Sequence, residues 1–254
     1  MKNLFEKTQM LLGAKTLNMI KMKKVIIFGV GGAGGSAAEA LVRSGIQTIA
    51  VVDCGTVDLT DIGVQVIALH STVGRKKAEV MEERIKDINP DAAVKAYGER
   101  LTPDNIEIFR LSDYDYIVDA IDDIPAKLLL IQSAVQLNVP IISAMSTGNK
   151  FNPSMLKIGD IKWAGACPMA AIIRKETAKI GVRNLKVVYS TETPHREELP
   201  EDGSRSPSGI AFVPAAAGLL TASEVIRDFL YTAPSERRIF GIKFNAPGLK
   251  ADEF

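Results

Sequence analysis

Cysteine is scarce in this sequence. Cys54 and Cys167 are the only two among 254 residues, too few for a disulfide framework or a four-cysteine zinc site. Their scarcity fits a reducing compartment. Histidine is equally rare: His70 and His195 stand far apart, and neither has a cluster of ligating or catalytic partners nearby in the chain. An excess of one charge is missing too, with 31 Lys and Arg against 30 Asp and Glu. No global field therefore draws the chain to nucleic acid or membrane, and any RNA contact must come from a local patch. No apolar run reaches the roughly eighteen residues that a membrane span needs. The amino terminus, with Lys2, Glu6 and Lys7, lacks a signal-peptide layout. Internal repeats and low-complexity tracts are absent. What remains is 46% hydrophobic and 24% charged residues, ordinary values for a globular chain with a sizeable core. The expectation is a cytoplasmic protein with no membrane span.

What is present is concentrated between Lys24 and Asp53. Val25 to Phe28 is a wholly apolar run, as in a strand buried on both faces. Gly29, Gly31 and Gly34 follow as a G-x-G-x-x-G turn, with Gly32 and Gly35 as extra glycines. A helix through Ala37, Leu41 and Val42 ends near Gly45, and Ile49 to Val52 reads as a second strand with Asp53 at its end. Such glycines let the backbone turn sharply and let a phosphate approach the N–H groups of the helix start. Asp53 stands where a carboxylate accepts hydrogen bonds from a ribose. This pattern suits a nucleotide, whether adenosine triphosphate or NAD.

Along the rest of the chain, residues 4–22 read as two short helices broken at Gly13. A long connection runs from Cys54 to Thr72, and connections of that length are usually functional or disordered. The spacing predicts a helix over 73–88 with Gly74, Lys76 and Lys77 in its first turn, where basic residues invite an anionic ligand. A third strand is expected at 92–96, and a helix opening at Thr102 as N-cap with Pro103 at its first position. Residues 116–121 form the next strand, leading into Asp122 and Asp123 at the ligand-binding edge of the sheet. Asp122 is the candidate magnesium ligand, and Asp119 orients the loop. Helices follow at 125–137, 168–180 and 212–230, with strands at 139–144 and 185–189. Residues 193–208 read as a mobile loop. Arg174, Lys175, Lys179, Arg183 and Lys186 are the densest basic stretch and the candidate contact for an RNA backbone. Cys167 and Trp163 read as packing residues rather than as a reactive thiol or a base-stacking platform.

Several segments together resemble a known family over nearly the whole chain: G-V-G-G-A-G-G at 29–35, Asp53, V-G-R-K-K-A-E-V-M-E-E-R-I at 73–85 and I-N-P at 88–90. V-D-A-I-D at 118–122, S-T-G-N-K at 146–150, C-P at 167–168, F-V-P at 212–214 and T-Q-M-L-L-G at 8–13 complete the set. The sequence looks like the ubiquitin-activating-enzyme-like (ThiF/MoeB/HesA) ATP-binding proteins, and within them the tRNA threonylcarbamoyladenosine dehydratases. The adenylyltransferases that act on a small ubiquitin-like carrier protein usually carry paired C-x-x-C motifs, which this chain lacks.

The resemblance implies a Rossmann-like, doubly wound α/β fold with a mainly parallel sheet. It divides the chain into an amino-terminal helical extension (1–22), an ATP-binding domain (23–150) and a smaller α+β portion completing the same fold (151–254). It also implies an ATP- and Mg2+-dependent reaction on tRNA, in which the carboxylate of a modified adenosine next to the anticodon is adenylylated and then closes a ring. Matching positions assign Gly29, Gly31, Gly32 and Gly34 to the phosphate turn, Asp53 to the ribose and Gln65 to the border of the triphosphate. Lys77 and Asp122 become the catalytic pair, with Lys77 on the phosphates and Asp122 on the metal. Lys7 would reach the γ-phosphate across a homodimer, and a sulfur-transfer protein is a further candidate partner. The chain departs from the family in the connection after Asp53. Where N-x-x-R-Q is usual it has Asp61-Ile-Gly-Val64-Gln65, while Gly55 and Ala171 stand where an acid and an arginine are common. Four readings follow: the tRNA-modifying enzyme, a divergent nucleotide-binding paralogue with little or no catalysis, an NAD-dependent oxidoreductase, and an adenylyltransferase for a small carrier protein.

Overall fold

The apolar strands are placed where helices can cover both of their faces. The computed structural model describes residues 4–195 and 208–231. Its strands are β1 (Lys24–Phe28), β2 (Thr48–Val52), β3 (Ala93–Tyr97), β4 (Tyr116–Asp119), β5 (Ile141–Ala144), β6 (Leu156–Asp160) and β7 (Lys186–Ser190). They form one seven-stranded sheet in the order β3-β2-β1-β4-β5-β7-β6. All neighbours run parallel except β6, which pairs antiparallel with β7 at the edge. Every residue of β4 and β5 is buried, whereas β3 at the opposite edge alternates, as expected of a strand covered on one face only.

The helices are α1 (Glu6–Leu12), α2 (Ala14–Lys21), α3 (Gly32–Arg43), α4 (Lys77–Ile88), α5 (Ile124–Gln136), α6 (Pro168–Lys179) and α7 (Phe212–Tyr231). Successive strand residues face opposite layers. Ile27, Val51 and Val118 pack with α3, α4 and α7 through Ala37, Leu41, Met81 and Val225, and α2 joins this layer through Ile20. Ile26, Ala50 and Ile117 pack on the other side with Leu130, Ile131 and Ile173 of α5 and α6. The small residues of α7 serve the interior of the chain: a Cβ on Gly218 would lie 2.2 Å from the carbonyl oxygen of Ala33, so α7 touches the backbone of α3 directly.

Two charged networks pin the sheet at its ends. At the carboxyl edge, Asp119, Lys127 and Ser143 are fully buried. The Lys127 ammonium donates to Asp119 Oδ2 at 2.8 Å, Ser143 Oγ at 3.2 Å and the Ala144 carbonyl at 3.0 Å, so all three of its protons are used. The Ser143 hydroxyl donates to Asp119 as well. At the amino edge, Lys186 bonds Glu224 at 2.9 Å and Asp228 at 2.7 Å, while the Tyr116 hydroxyl donates to Asp228 at 2.6 Å. Lys186 is thus an internal anchor for α7, and the basic stretch named from the sequence loses it as a surface contact.

Several expected elements differ. The fourth helix begins at Lys77, not residue 73, because Gly74 has φ +83° and Lys76 is extended at the N-cap. No α-helix follows Thr102. Its N–H is bonded by the Asn105 side chain, and the segment passes through a short 3-10 turn at Ile106–Phe109. The strand at 116–121 stops at Asp119, whose Oδ1 accepts the Ile121 N–H and turns the chain. β6 has no counterpart in the sequence reading. The loop expected over 193–208 lies outside the described residues from 196 to 207.

Removing one partner of a buried, fully bonded ion pair strands the other charge. Lys127→Ala is therefore expected to lower unfolding free energy by about 3–5 kcal/mol, measured by urea denaturation. Lys127→Met combined with Asp119→Leu should recover most of that loss. Equal destabilisation in the single and double variants would contradict the assignment.

Candidate active site

The sheet changes direction between β1 and β4: from β1 the chain winds outward through β2 and β3, then crosses back to β4. Loops leaving β1 and β4 diverge there and open a crevice at the carboxyl edge, where ligands bind in sheets of this kind. Gly29 turns the backbone at φ +85°, and a Cβ on it would lie 2.4 Å from the carbonyl of Ala120. A Cβ on Gly34 would lie 1.8 Å from the Gly29 carbonyl, so this glycine lets α3 approach its own entry turn. Gly32 is held free of a side chain by Pro214 at 2.6 Å. Gly31 is different. A Cβ there would meet only the Gln65 amide nitrogen, at 3.9 Å. Protein packing alone does not demand a glycine at this N-cap, and its open space faces the start of α3, where backbone N–H groups are unpaired.

Asp53 closes one wall. Its Oδ2 accepts the Val30 N–H at 2.7 Å and its Oδ1 accepts the Gly55 N–H at 2.8 Å. The carboxylate thus ties the end of β2 to the glycine turn, and each oxygen keeps a lone pair for a further donor. At Gly55 a Cβ would lie 3.0 Å from Asp53 Oδ1, a tight approach, and 3.5 Å from the Lys77 side chain, an ordinary contact. Lys77 is the first residue of α4, and its ammonium lies 2.9 Å from Asp61 Oδ2. Asp61 belongs to a 3-10 turn, Leu59–Gly63, and forms a reciprocal capping box with Asp58. Gln65 donates its amide to Asp61 Oδ1 at 2.5 Å, leaving its own Oε1 buried without a partner.

Asp122 follows the bend fixed by Asp119. Its side chain keeps an open path to solvent. Crowding by the crevice walls nevertheless raises its pKa above the ordinary 3.8; Lys127 and Lys77 oppose this, while Asp119 and Asp53 add to it. Asp123 caps α5 by accepting the Ala126 N–H and meets Arg100 at 3.2 Å.

Comparison with known proteins agrees with this geometry. A model of the ThiF family matches residues 6–248. The chain belongs to the ThiF family. Among ThiF relatives, the tRNA threonylcarbamoyladenosine dehydratase of Bacillus subtilis is 36% identical over 239 residues, covering 89% of this chain and 94% of that protein. The crystal structure of the Escherichia coli dehydratase in complex with ATP superposes with a TM-score of 0.83 at 30% identity, over 89% of this chain and 93% of that one. The sulfur carrier protein adenylyltransferase of Thermus thermophilus is 35% identical but matches only 51% of this chain and 48% of its own length.

Within this ThiF chain the fold brings the glycine turn, Asp53, Gln65, Lys77 and Asp122 to one crevice. Lys7 is apart from them: it is exposed on α1, which packs on α2, and α2 rests against the amino edge through Leu17 beside Gly45. Cys167 is fully buried at the N-cap of α6. Its neighbour Lys150 is also buried and donates to the Ser146 carbonyl. His195 pairs with Glu192 at 3.0 Å, and its backbone N–H donates to the Asn149 carbonyl. The sequence reading missed two groups. Lys127 is the charged residue of an otherwise apolar stretch, Ile124–Leu130 just after the acidic loop, and that isolation was the available signal. The Asp61–Lys77 contact had no such signal, because sixteen residues separate the partners.

The raised pKa of Asp122 fixes the sign of a pH effect. The folded state holds this proton more tightly than the unfolded state, so ionisation of Asp122 costs stability as pH rises from the ordinary value through the raised one. Asp122→Asn should therefore raise the Tm of the ligand-free protein slightly at neutral pH. The difference from the parent should shrink toward pH 4 in calorimetry. A lower Tm for the variant at neutral pH would refute this.

Proposed function

We propose that this protein is an ATP-dependent dehydratase acting on the threonylcarbamoyl-modified adenosine next to the anticodon of tRNA. The observation that carries the proposal is the convergence of the open Gly31 cradle, Asp53, Lys77 and Asp122 at the switch point of the sheet. The similarity to the dehydratases extends over nearly the full length of both chains, which supports this activity above that of the carrier-protein adenylyltransferases.

Each group suits a part of the substrate. The unpaired N–H groups at the start of α3 donate to a phosphate oxygen without a side chain in the way. Asp53, already holding Val30 and Gly55, accepts a ribose hydroxyl. Lys77 offers a cation to the phosphate chain once it leaves Asp61. Among the described residues no cluster of three His, Cys, Asp or Glu side chains could hold a metal by itself. The residues fit Mg2+ as it is usually bound with nucleotides, through one carboxylate, here Asp122, plus phosphates and water. Bound Mg2+ would supply positive charge to the leaving pyrophosphate. The chain's own contribution is to orient the α-phosphate toward the substrate carboxylate and to offset developing charge through Lys77.

A homodimer accords with the exposed Leu4, Met10 and Leu11 on and beside α1; Lys7 on the same helix would then serve the partner's triphosphate. Arg174, Lys175, Lys179 and Arg183 remain as the basic face for tRNA. Arg174 also bonds the Ile161 carbonyl and Lys179 pairs with Glu176. A second reading, a nucleotide-binding protein with little catalysis, is favoured by the carboxylate of Asp61 on Lys77.

Isothermal titration should detect ATP with Mg2+ and show no binding of NAD. Incubation with ATP and tRNA from a dehydratase-deficient strain should release pyrophosphate and yield the cyclised nucleoside by mass spectrometry. Lys77→Met is expected to reduce this turnover on the order of a hundredfold or more. ATP binding without any cyclised nucleoside would favour the second reading.

A further inference from the structure

The crevice contains a charge that the proposed chemistry does not require. The Asp61 carboxylate lies 2.9 Å from the Lys77 ammonium, with both side chains only 15% exposed. Asp61 is no loose surface acid. Its Oδ2 also accepts the Asp58 N–H at 3.0 Å, and its Oδ1 accepts the Gln65 amide at 2.5 Å. Three donors thus hold the side chain in place. The Gln65 nitrogen that bonds Asp61 is the same atom that lies 3.9 Å from the Cβ position of Gly31. Asp61 is therefore one side chain away from the glycine turn. An anion arriving at that turn meets a lysine already neutralised, with the neutralising carboxylate beside it.

We infer that Asp61 is a specificity-determining residue, one that biases the crevice against nucleotides of high negative charge. The inference rests on the nucleotide reading above and deepens it. Repulsion by a fixed carboxylate scales with the charge of the ligand, and the partly buried setting screens it less than water would. Triphosphate, monophosphate and uncharged nucleoside are consequently penalised in descending order. Freeing Lys77 adds to the difference, since its ammonium then serves the ligand instead of Asp61. Asp61→Asn removes the charge and keeps one oxygen for the Gln65 amide, at the cost of the acceptor for the Asp58 N–H.

The test is titration of the full chain and of Asp61→Asn with ATP, AMP and adenosine at fixed Mg2+. Asp61→Ser is run in parallel in case the amide disturbs the capping box. The expected result is ATP bound about tenfold more tightly by the variants, AMP by less and adenosine unchanged, with the gain for ATP shrinking as salt is raised. Equal shifts for all three ligands, or none, would overturn the inference while leaving the nucleotide site standing. If the parent and both variants bind none of the three, the nucleotide reading fails and takes the inference with it.

Discussion

The site depends on a backbone contact that no side chain could occupy. Gly29 turns the chain out of β1 against the carbonyl of Ala120, the residue following β4, and Gly34 brings α3 against the carbonyl of Gly29. These two approaches set the start of α3, with its free N–H groups, directly above the split in the sheet. Asp53 then ties the same turn to β2 through Val30. Three strand ends are thereby registered to one another by groups that cannot move independently. A methyl group at Gly29 or Gly34 would have to displace backbone, and backbone in the middle of a seven-stranded sheet has nowhere to go.

Behind this contact the protein spends buried charge. Asp119, Lys127 and Ser143 lie in the apolar layer under α5, where a hydrophobic trio of similar volume would often be at least as stable. Their geometry offers a reason beyond stability. Asp119 uses one oxygen for Lys127 and the other for the Ile121 N–H, and Lys127 reaches on to the carbonyl of Ala144. The bend after β4, which carries Asp122, is thus coupled to the end of β5, where the S-T-G-N-K loop begins. Asp122 leaves that bend, and a directional bond fixes its backbone where hydrophobic packing would not.

The central β-α-β unit was legible from sequence because its signals are local and mutually consistent: an apolar run, glycines at fixed spacing, a helix and an acid all within thirty residues. Helices α5 and α7 were equally plain. The errors fell where long-range structure overrode local propensity. Thr102-Pro103 has the composition of a helix start, yet Asn105 captures the Thr102 N–H and the chain goes elsewhere. β6 carries Gly159 and Asp160 and acquires strand form only by pairing with β7, thirty residues later. The partner of the small residues in α7 could not be read locally either, since Gly218 packs on the Ala33 carbonyl in an element far away in the chain. In the candidate site, residues that act through their own backbone neighbourhood could be read, whereas Asp61, which acts through Lys77, could not.

That last contact bears on how far kinship should be carried. The glycine turn, Asp53 and Asp122 are placed by the ends of β1, β2 and β4. The departures at Asp61 and Val64 fall in a turn held by its own capping box and by Gln65, while Val57, Ile67 and Ala68 on either side enter the core. A loop of this kind can change its charge without disturbing the core, so the fold places little restraint on what Asp61 and Val64 become. Fold and phosphate electrostatics are therefore separable properties of this chain. The sheet positions the glycine turn and Asp53, whereas the charge beside Lys77 is set by a turn that the sheet does not dictate.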